Sequence, residues 1–357
     1  MGKNINSKVF RFPKHFEPYT SKIRQLTEKD LGLLFGDNHK VLQEEAERLG
    51  IPAKDVKHYW HKSKHISMFV KNHGKTYQQI FEELKSEMIQ AAPVYPKLER
   101  TQSKEPHLLV VDPADIHFGK LATAYETGDA YNVEIASARV IEGVQGILDK
   151  TASFNIDKIL FIGGNDILHT DTPKRITTSG TPQDTDGMWY ENFLSAKDVM
   201  IQAIEKLLTV ADVHFLFCPS NHDYASGFFL ADVIKTWFHK NENITFDCSI
   251  AHRKYFRYHD NLIGATHGDG AKQNDLPLLM AEESTEDWAK TKHRHIYTHH
   301  VHHKTSKDIG KVNIESIRSA SGTDSWHDRN GYRSIKAIEG FLHHPTHGQI
   351  ARISHIF

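Results

Sequence analysis

Cysteine is nearly absent. Cys218 and Cys248 are the only two in 357 residues, too few for a disulfide framework or a thiolate zinc site, and Cys218 stands inside an apolar run. A reducing compartment is therefore expected. Long hydrophobic runs are missing as well: none approaches the ~18 residues of a membrane span. The opening Met1-Gly2-Lys3-Asn4-Ile5 lacks the apolar core of a signal peptide. These absences give the expectation of a cytoplasmic protein with no membrane partner. Gly2 would suit N-myristoylation, but Asn6 stands where that pattern wants Ser or Thr. The net charge of −1 names no partner by itself, but it is unevenly spread. Residues 1–105 hold 19 Lys and Arg against 13 Asp and Glu, which leaves a basic front and an acidic remainder.

Organisation changes between residues 92 and 106, where Ala92-Pro93-Val94-Tyr95-Pro96 runs into the polar segment Glu99 to Pro106. The expected division is a small, mainly helical domain over 1–95, of helix-turn-helix or winged-helix type, a linker over 96–106, and a catalytic domain over 107–357. In the front region, Thr27-Glu28-Lys29-Asp30 resembles a capping box. Asn38 would cap a helix ending at Gly50, and Ile51 to Asp55 would open another through Val56 and Trp60. A short strand at Ile66–Val70 and a helix carrying Tyr77, Ile80, Phe81, Leu84 and Met88 follow. After the linker, short apolar runs (Leu108–Val111, Ile159–Ile162, Val213–Phe217) alternate with amphipathic helices through Val133–Leu148 and Trp189–Leu207. This is the pattern of an α/β sheet. Further strands are expected at Leu262–Ala265, Ile296–Thr298, Val312–Ser316, Ala337–Phe341 and Ile350–Ile353.

What the chain has in quantity is histidine, 26 residues, and part of it is ordered. Asp115-Ile116-His117, Gly163-Gly164-Asn165-Asp166, Ser220-Asn221-His222-Asp223, Thr266-His267-Gly268-Asp269 and His299-His300-Val301-His302-His303 each follow an apolar run. In open α/β sheets ligands gather at the carboxyl ends of strands. Carboxylate and amide oxygens suit hard cations and imidazole suits transition metals, so this donor mixture fits two-metal hydrolytic chemistry. An Asp at position 166 has two oxygens with which to bridge two cations, and Asp223 stands next to His222 to orient its ring.

The order of these blocks resembles the calcineurin-like metallophosphoesterase superfamily, in its nuclease-type branch. That family's blocks read Asp-x-His, Gly-Asp, Gly-Asn-His-Asp, His-Gly-Asp and Gly-His-x-His, and the resemblance covers about residues 107 to 303. It implies a two-sheet sandwich flanked by helices. It also implies a first metal held by Asp115, His117, Asp166 and His302, and a second held by Asp166, Asn221, His267 and His300. His222 would be the catalytic imidazole, assisted by Asp223. The sequence departs from the pattern at Asn165, Ser220 and His299, each of which replaces a glycine. Two cations would clamp phosphoryl oxygens, activate a water and offset transition-state charge. Mn²⁺ is the first choice, with Zn²⁺ or Fe as alternatives.

His169 and Asp171 lie just past Asp166, within expected reach of substrate. Residues 174–187 make either a functional loop or a surface excursion. The segment Arg318 to His327 carries cation, hydroxyl and aromatic groups suited to a phosphate and a base, unless Trp326 packs it as a structured turn; Arg318 and His327 are its candidate substrate contacts. Lys54, Lys57, Trp60, Lys62, Lys64 and Phe69 interleave charge and aromatics as nucleic-acid-binding surfaces do, although a solvated surface reads the same way. The leading expectation is a nuclease acting on DNA or RNA. A small-nucleotide or phosphoprotein phosphoesterase with an N-terminal assembly domain is the second, a homo-oligomer being compatible with it. A nucleic-acid-binding regulator with a vestigial metal site is the third, and the complete ligand set counts against it.

Overall fold

The structure, a computed structural model, describes residues 58–62, 67–71, 77–100 and 104–357. The chain divides into two compact units, Met1–Leu84 and Lys85–Phe357. In the first, strands β1 (His58–Lys62) and β2 (Ser67–Lys71) pair antiparallel, with Tyr59 opposite Val70 and Trp60 opposite Phe69. The expected second strand is present. The stretch around Trp60, expected as the end of a helix, is strand β1 instead, and the start of that helix at Ile51 to Val56 lies outside the described residues. The helices expected at Thr27 to Gly50 lie outside the described residues. The helix through Tyr77 and Met88 spans Tyr77–Ala91.

The second unit contains two sheets. Strands β3 (His107–Asp112), β4 (Ile156–Gly164), β5 (Asp212–Cys218) and β6 (Ile244–Asp247) run parallel. Strands β7 (Arg253–Tyr258), β8 (Asn261–Thr266), β9 (His293–Thr298), β10 (Thr305–Ile309) and β11 (Val312–Ser316) form the other sheet, in the order β10-β11-β9-β8-β7. Strands β12 (Ala337–His344) and β13 (Gly348–Ile356) then return antiparallel to complete the first sheet as β13-β12-β3-β4-β5-β6.

Period-two alternation sorts the buried strands into layers. Leu108 and Val110 of β3, Leu160 and Ile162 of β4 and Leu216 and Cys218 of β5 face Ile263, Ala265 and Tyr297 of the second sheet. Their neighbours Leu109, Val111, Ile159, Phe161, Val213 and Phe215 pack with Val140, Val144, Ala196, Met200 and Ile234 of the helices Val133–Thr151, Trp189–Leu208 and Tyr224–Trp237. Leu276 and Met280 of the helix Leu276–Glu283 cover the far side of the second sheet. The result is the expected two-sheet sandwich flanked by helices. Strands β6, β7 and β10 were not anticipated, nor was the helix Tyr224–Trp237, whose buried Leu230, Ala231, Val233 and Ile234 give it little polar interruption.

The segment read as a linker does not hang free where it is described. The Leu98 amide donates to Asn243 Oδ1 at 2.8 Å and the Arg100 guanidinium to the Leu208 carbonyl at 2.5 Å. Just before it, Tyr95 stacks on Phe238 at 5.3 Å.

Candidate metal centre

The parallel strands β3, β4 and β5 end side by side, and the loops that follow remain laced by main-chain bonds. Asp115 N donates to the Asn165 carbonyl (2.9 Å), His117 N to the Asp166 carbonyl (2.8 Å) and Asn165 N to the Cys218 carbonyl (2.9 Å). Gly164 makes the last of these possible: its φ is +80°, and a Cβ there would lie 2.1 Å from the Cys218 carbonyl oxygen. From the other sheet, β8 and β9 deliver their loops to the same place, joined by His299 N donating to the His267 carbonyl at 2.9 Å. Among the described residues, eight non-glycine residues have positive φ, and six of them are Asp115, His117, Asn165, Asp166, His300 and His302. Each such conformation costs roughly 1–3 kcal/mol and persists where the surroundings impose it, typically at functional sites.

Two donor groups contain a carboxylate. Asp115, His117 and His302 form one, and Asp166, His267 and His300 the other, with the ligand atoms in each group within 4.8 Å of one another; His117, His169 and His222 make a third, all-imidazole group. Asp166 stands between them: its Oδ2 lies 3.9 Å from His117 Nε2 and 3.3 Å from His267 Nε2. Asn221 Oδ1 is 2.8 Å from His267 Nε2, and His302 Nε2 is 3.2 Å from Asp115 Oδ1. Asp115 Oδ2 is buried without a hydrogen-bond partner, and His117 Nε2 faces His302 Nε2 at 3.4 Å. A buried carboxylate oxygen without a donor is costly unless a cation lies beside it. The residues therefore fit a pair of divalent ions. Burial raises the Asp166 carboxyl's pKa, but His267 and His222 outweigh that and hold it below the usual range, while Asp166 lifts His267 to about 9 against the opposing effect of burial.

His222 sits at the edge of the first group, its ring 4.7 Å from that of His117. Asp223 does not orient it. The His222 Nδ1–H donates to the His169 carbonyl at 2.9 Å. The fully buried Asp223 instead accepts from Ser220 Oγ at 2.5 Å and from Leu168 N at 2.8 Å, and Ser220 Oγ accepts from Asp166 N at 2.7 Å. Burial and the Asp166 charge push the Asp223 carboxyl up to about 7. It is thus a loop brace rather than a catalytic partner, a distinction that adjacency in sequence could not reveal.

The remaining candidates separate. His169 joins the centre, Nδ1 to Nδ1 with His117 at 3.3 Å and stacked on His222 at 5.3 Å. Asp171 turns away, accepting from Ala225 N and Ser226 N at 3.0 and 2.7 Å at the start of the helix Tyr224–Trp237, so the 174–187 excursion begins on a capping carboxylate. Arg318 is held by the buried Glu339 at 2.7 Å, in a network with Arg352. His327 stacks on His302, rings 5.0 Å apart and 12° from parallel.

Two buried charges beside the centre were missed. Lys120 is fully buried and paired with Asp324 at 2.9 Å. Asp112 accepts from His299 Nε2 with both oxygens at 3.0 Å, both residues having no exposure, and the carboxylate holds this imidazole's pKa up despite burial. Only the position of Lys120, three residues past His117, offered any signal.

No protein-family model and no curated protein matches the sequence. Among solved structures the chain is similar to a novel archaeal phosphodiesterase, at 10% identity and TM-score 0.33 over 70% of this chain and 99% of that one. It is similar to wild-type Vps29 with zinc from Entamoeba histolytica, at 10% identity and TM-score 0.29 over 70% and 98% of the two chains. A predicted phosphoesterase from Streptococcus pneumoniae gives 10% identity and TM-score 0.28 over 71% and 100%. Scores this low carry no functional inference, and the site stands on its own donor geometry. The sandwich with donor loops in this order is the arrangement implied by resemblance to the calcineurin-like metallophosphoesterases.

Proposed function

We propose that the chain is a dinuclear metal-dependent phosphodiesterase that hydrolyses nucleic acid. The observation that supports this most is the position of Asp166 Oδ2, 3.9 Å from His117 Nε2 and 3.3 Å from His267 Nε2, between two donor groups that each draw on both sheets. Asp115, His117, Asp166 and His302 would hold one ion, and Asp166, Asn221, His267 and His300 the other. When bound, two such ions, Mn²⁺ in first place and Zn²⁺ or Fe as alternatives, supply Lewis acidity toward phosphoryl oxygens and a water of lowered pKa. The chain's own part is positioning and proton transfer. Because His222 Nδ1 is committed to the His169 carbonyl, Nε2 is the atom left to carry a proton to a leaving oxygen. Asp223 and Ser220 hold the loop that sets this ring beside the centre.

Nucleic-acid binding by the front region belongs to the same proposal. It rests on the charge pattern of Lys54, Lys57, Lys62 and Lys64, whose side chains lie outside what the structure describes. Incubation with Mn²⁺ and a panel of single- and double-stranded DNA, RNA, cyclic dinucleotides and a phosphomonoester, with metal content measured alongside, tests the whole reading. Turnover of a polynucleotide supports it. Turnover of the phosphomonoester alone would turn the assignment to the small-substrate alternative, and a fully metal-loaded protein inert on every member would end it.

A further inference from the structure

Beside the His302 edge of the centre lies a group of aromatic rings that the metal chemistry does not use. The short helix Ser325–Arg329 starts at Asp324, which caps it by accepting from His327 N at 2.8 Å. The same oxygen accepts from His327 Nδ1 at 2.7 Å, and the other oxygen meets the buried Lys120 at 2.9 Å. His327 is thereby fixed nearly parallel to His302. Trp326 stands edge-on to His327 at 5.0 Å, and Tyr332 completes the group at 5.6 Å from Trp326. Trp326 is nonetheless 61% exposed and Tyr332 59% exposed, so the segment is not a turn packed by its tryptophan. The nearby carboxylates are neutralised, Asp324 by Lys120 and Asp328 by Arg333, and Arg329 is exposed, so the rim does not repel a phosphodiester.

We propose that Trp326 and Tyr332, set against the fixed ring of His327, form a stacking subsite for an unpaired nucleobase next to the scissile phosphate. The preferred substrate is then single-stranded nucleic acid. This rests on the phosphodiesterase reading for its meaning but not for its test. Exposed aromatic faces bind bases of any sequence, because every base has a π face, and in a duplex those faces are already stacked. The ring series runs from a metal ligand outward to solvent, which is where a base attached to a phosphate at the centre would project.

Fluorescence anisotropy on the full chain, with chelator present so that turnover plays no part, compares a labelled oligothymidylate of about ten nucleotides with an abasic oligomer of equal length. The base-bearing oligomer is expected to bind about ten-fold tighter or more. Trp326→Ala with Tyr332→Ala should bring that ratio close to unity, whereas Trp326→Phe, which keeps a ring, should retain most of it. A wild-type ratio near unity overturns the proposal and would redirect the rings to a protein partner. A ratio unchanged in the double alanine variant overturns it as well, by placing base recognition elsewhere. Discrimination here, combined with no hydrolysis of any oligomer in the Mn²⁺ panel, would sink the nuclease reading and keep the subsite; hydrolysis in that panel without discrimination here would do the reverse.

Discussion

The two sheets contribute unlike donors to one centre. The six-stranded sheet supplies both carboxylates, the amide and one imidazole, through Asp115, Asp166, Asn221 and His117; the five-stranded sheet supplies only imidazoles, through His267, His300 and His302. The oxygen-rich side is braced along its length by main-chain bonds between successive loops, whereas the imidazole side is tied across to it by the Asp112–His299 pair. Since each proposed ion would draw ligands from both sheets, metal binding would act as a clamp across the sandwich as well as a source of reactivity. The softer, nitrogen-rich share would tune which ion is held, and the carboxylates would supply the charge that holds it.

The sharpest way to break this division is at the residue common to both groups. Asp166→Asn removes the shared anion, and turnover should fall by at least about 1,000-fold, consistent with losing several kcal/mol of metal-derived stabilisation. Elemental analysis should show most of the two-ion occupancy gone; two tightly held ions and unchanged turnover would mean the ligands are misassigned. His222→Asn leaves both donor groups intact, so metal content should persist while turnover slows about 100-fold or more. An undiminished rate would remove His222 from the chemistry.

The clamp itself is read by stability. Each ion present at about 100 times its dissociation constant adds roughly 2.7 kcal/mol, so removing two ions by chelation should lower the melting temperature by about 10–20 °C in a unit of this size. Identical melting curves with and without chelator would mean that the sheets hold together without help from the ions. The smallest effect is expected outside the sandwich. Removing the charges of Lys54, Lys57, Lys62 and Lys64 should reduce the salt dependence of duplex binding by about one unit of slope for each phosphate no longer neutralised. A slope that does not move would take nucleic acid away from the front region.

The donor loops were legible because each polar cluster directly follows an apolar run, and carboxyl-terminal strand ends are where open sheets gather ligands. That β3, β4 and β5 are buried on both faces was legible too, because their sequences are short continuous apolar runs. The edges were not. β10 reads Thr-Ser-Lys-Asp-Ile and is largely exposed, so it lacks any hydrophobic period. Nor were the groups whose role depends on a neighbour far along the chain. Lys120 meets Asp324, and Asp112 meets His299, across separations that no local pattern encodes. Asp223 shows the opposite failure: nearness to His222 suggested a partnership, whereas the fold sends its carboxylate to Ser220 and Leu168.

Two of the positions that differ from the blocks this chain resembles, Ser220 and His299, carry side chains that cross-brace the donor loops. Ser220 ties to Asp166 and Asp223, and His299 ties to Asp112 and the Thr266 carbonyl. His299 and Asp112 are linked, and so the order in which they are changed matters. Returning His299 to glycine while Asp112 remains would strand a fully buried carboxylate, a penalty on the scale of about 3–5 kcal/mol. Replacing Asp112 first by an apolar residue leaves His299 its bond to the Thr266 carbonyl and a gentler descent. Transplanting the five donor loops into another sandwich would likewise require Asp112 to travel with them.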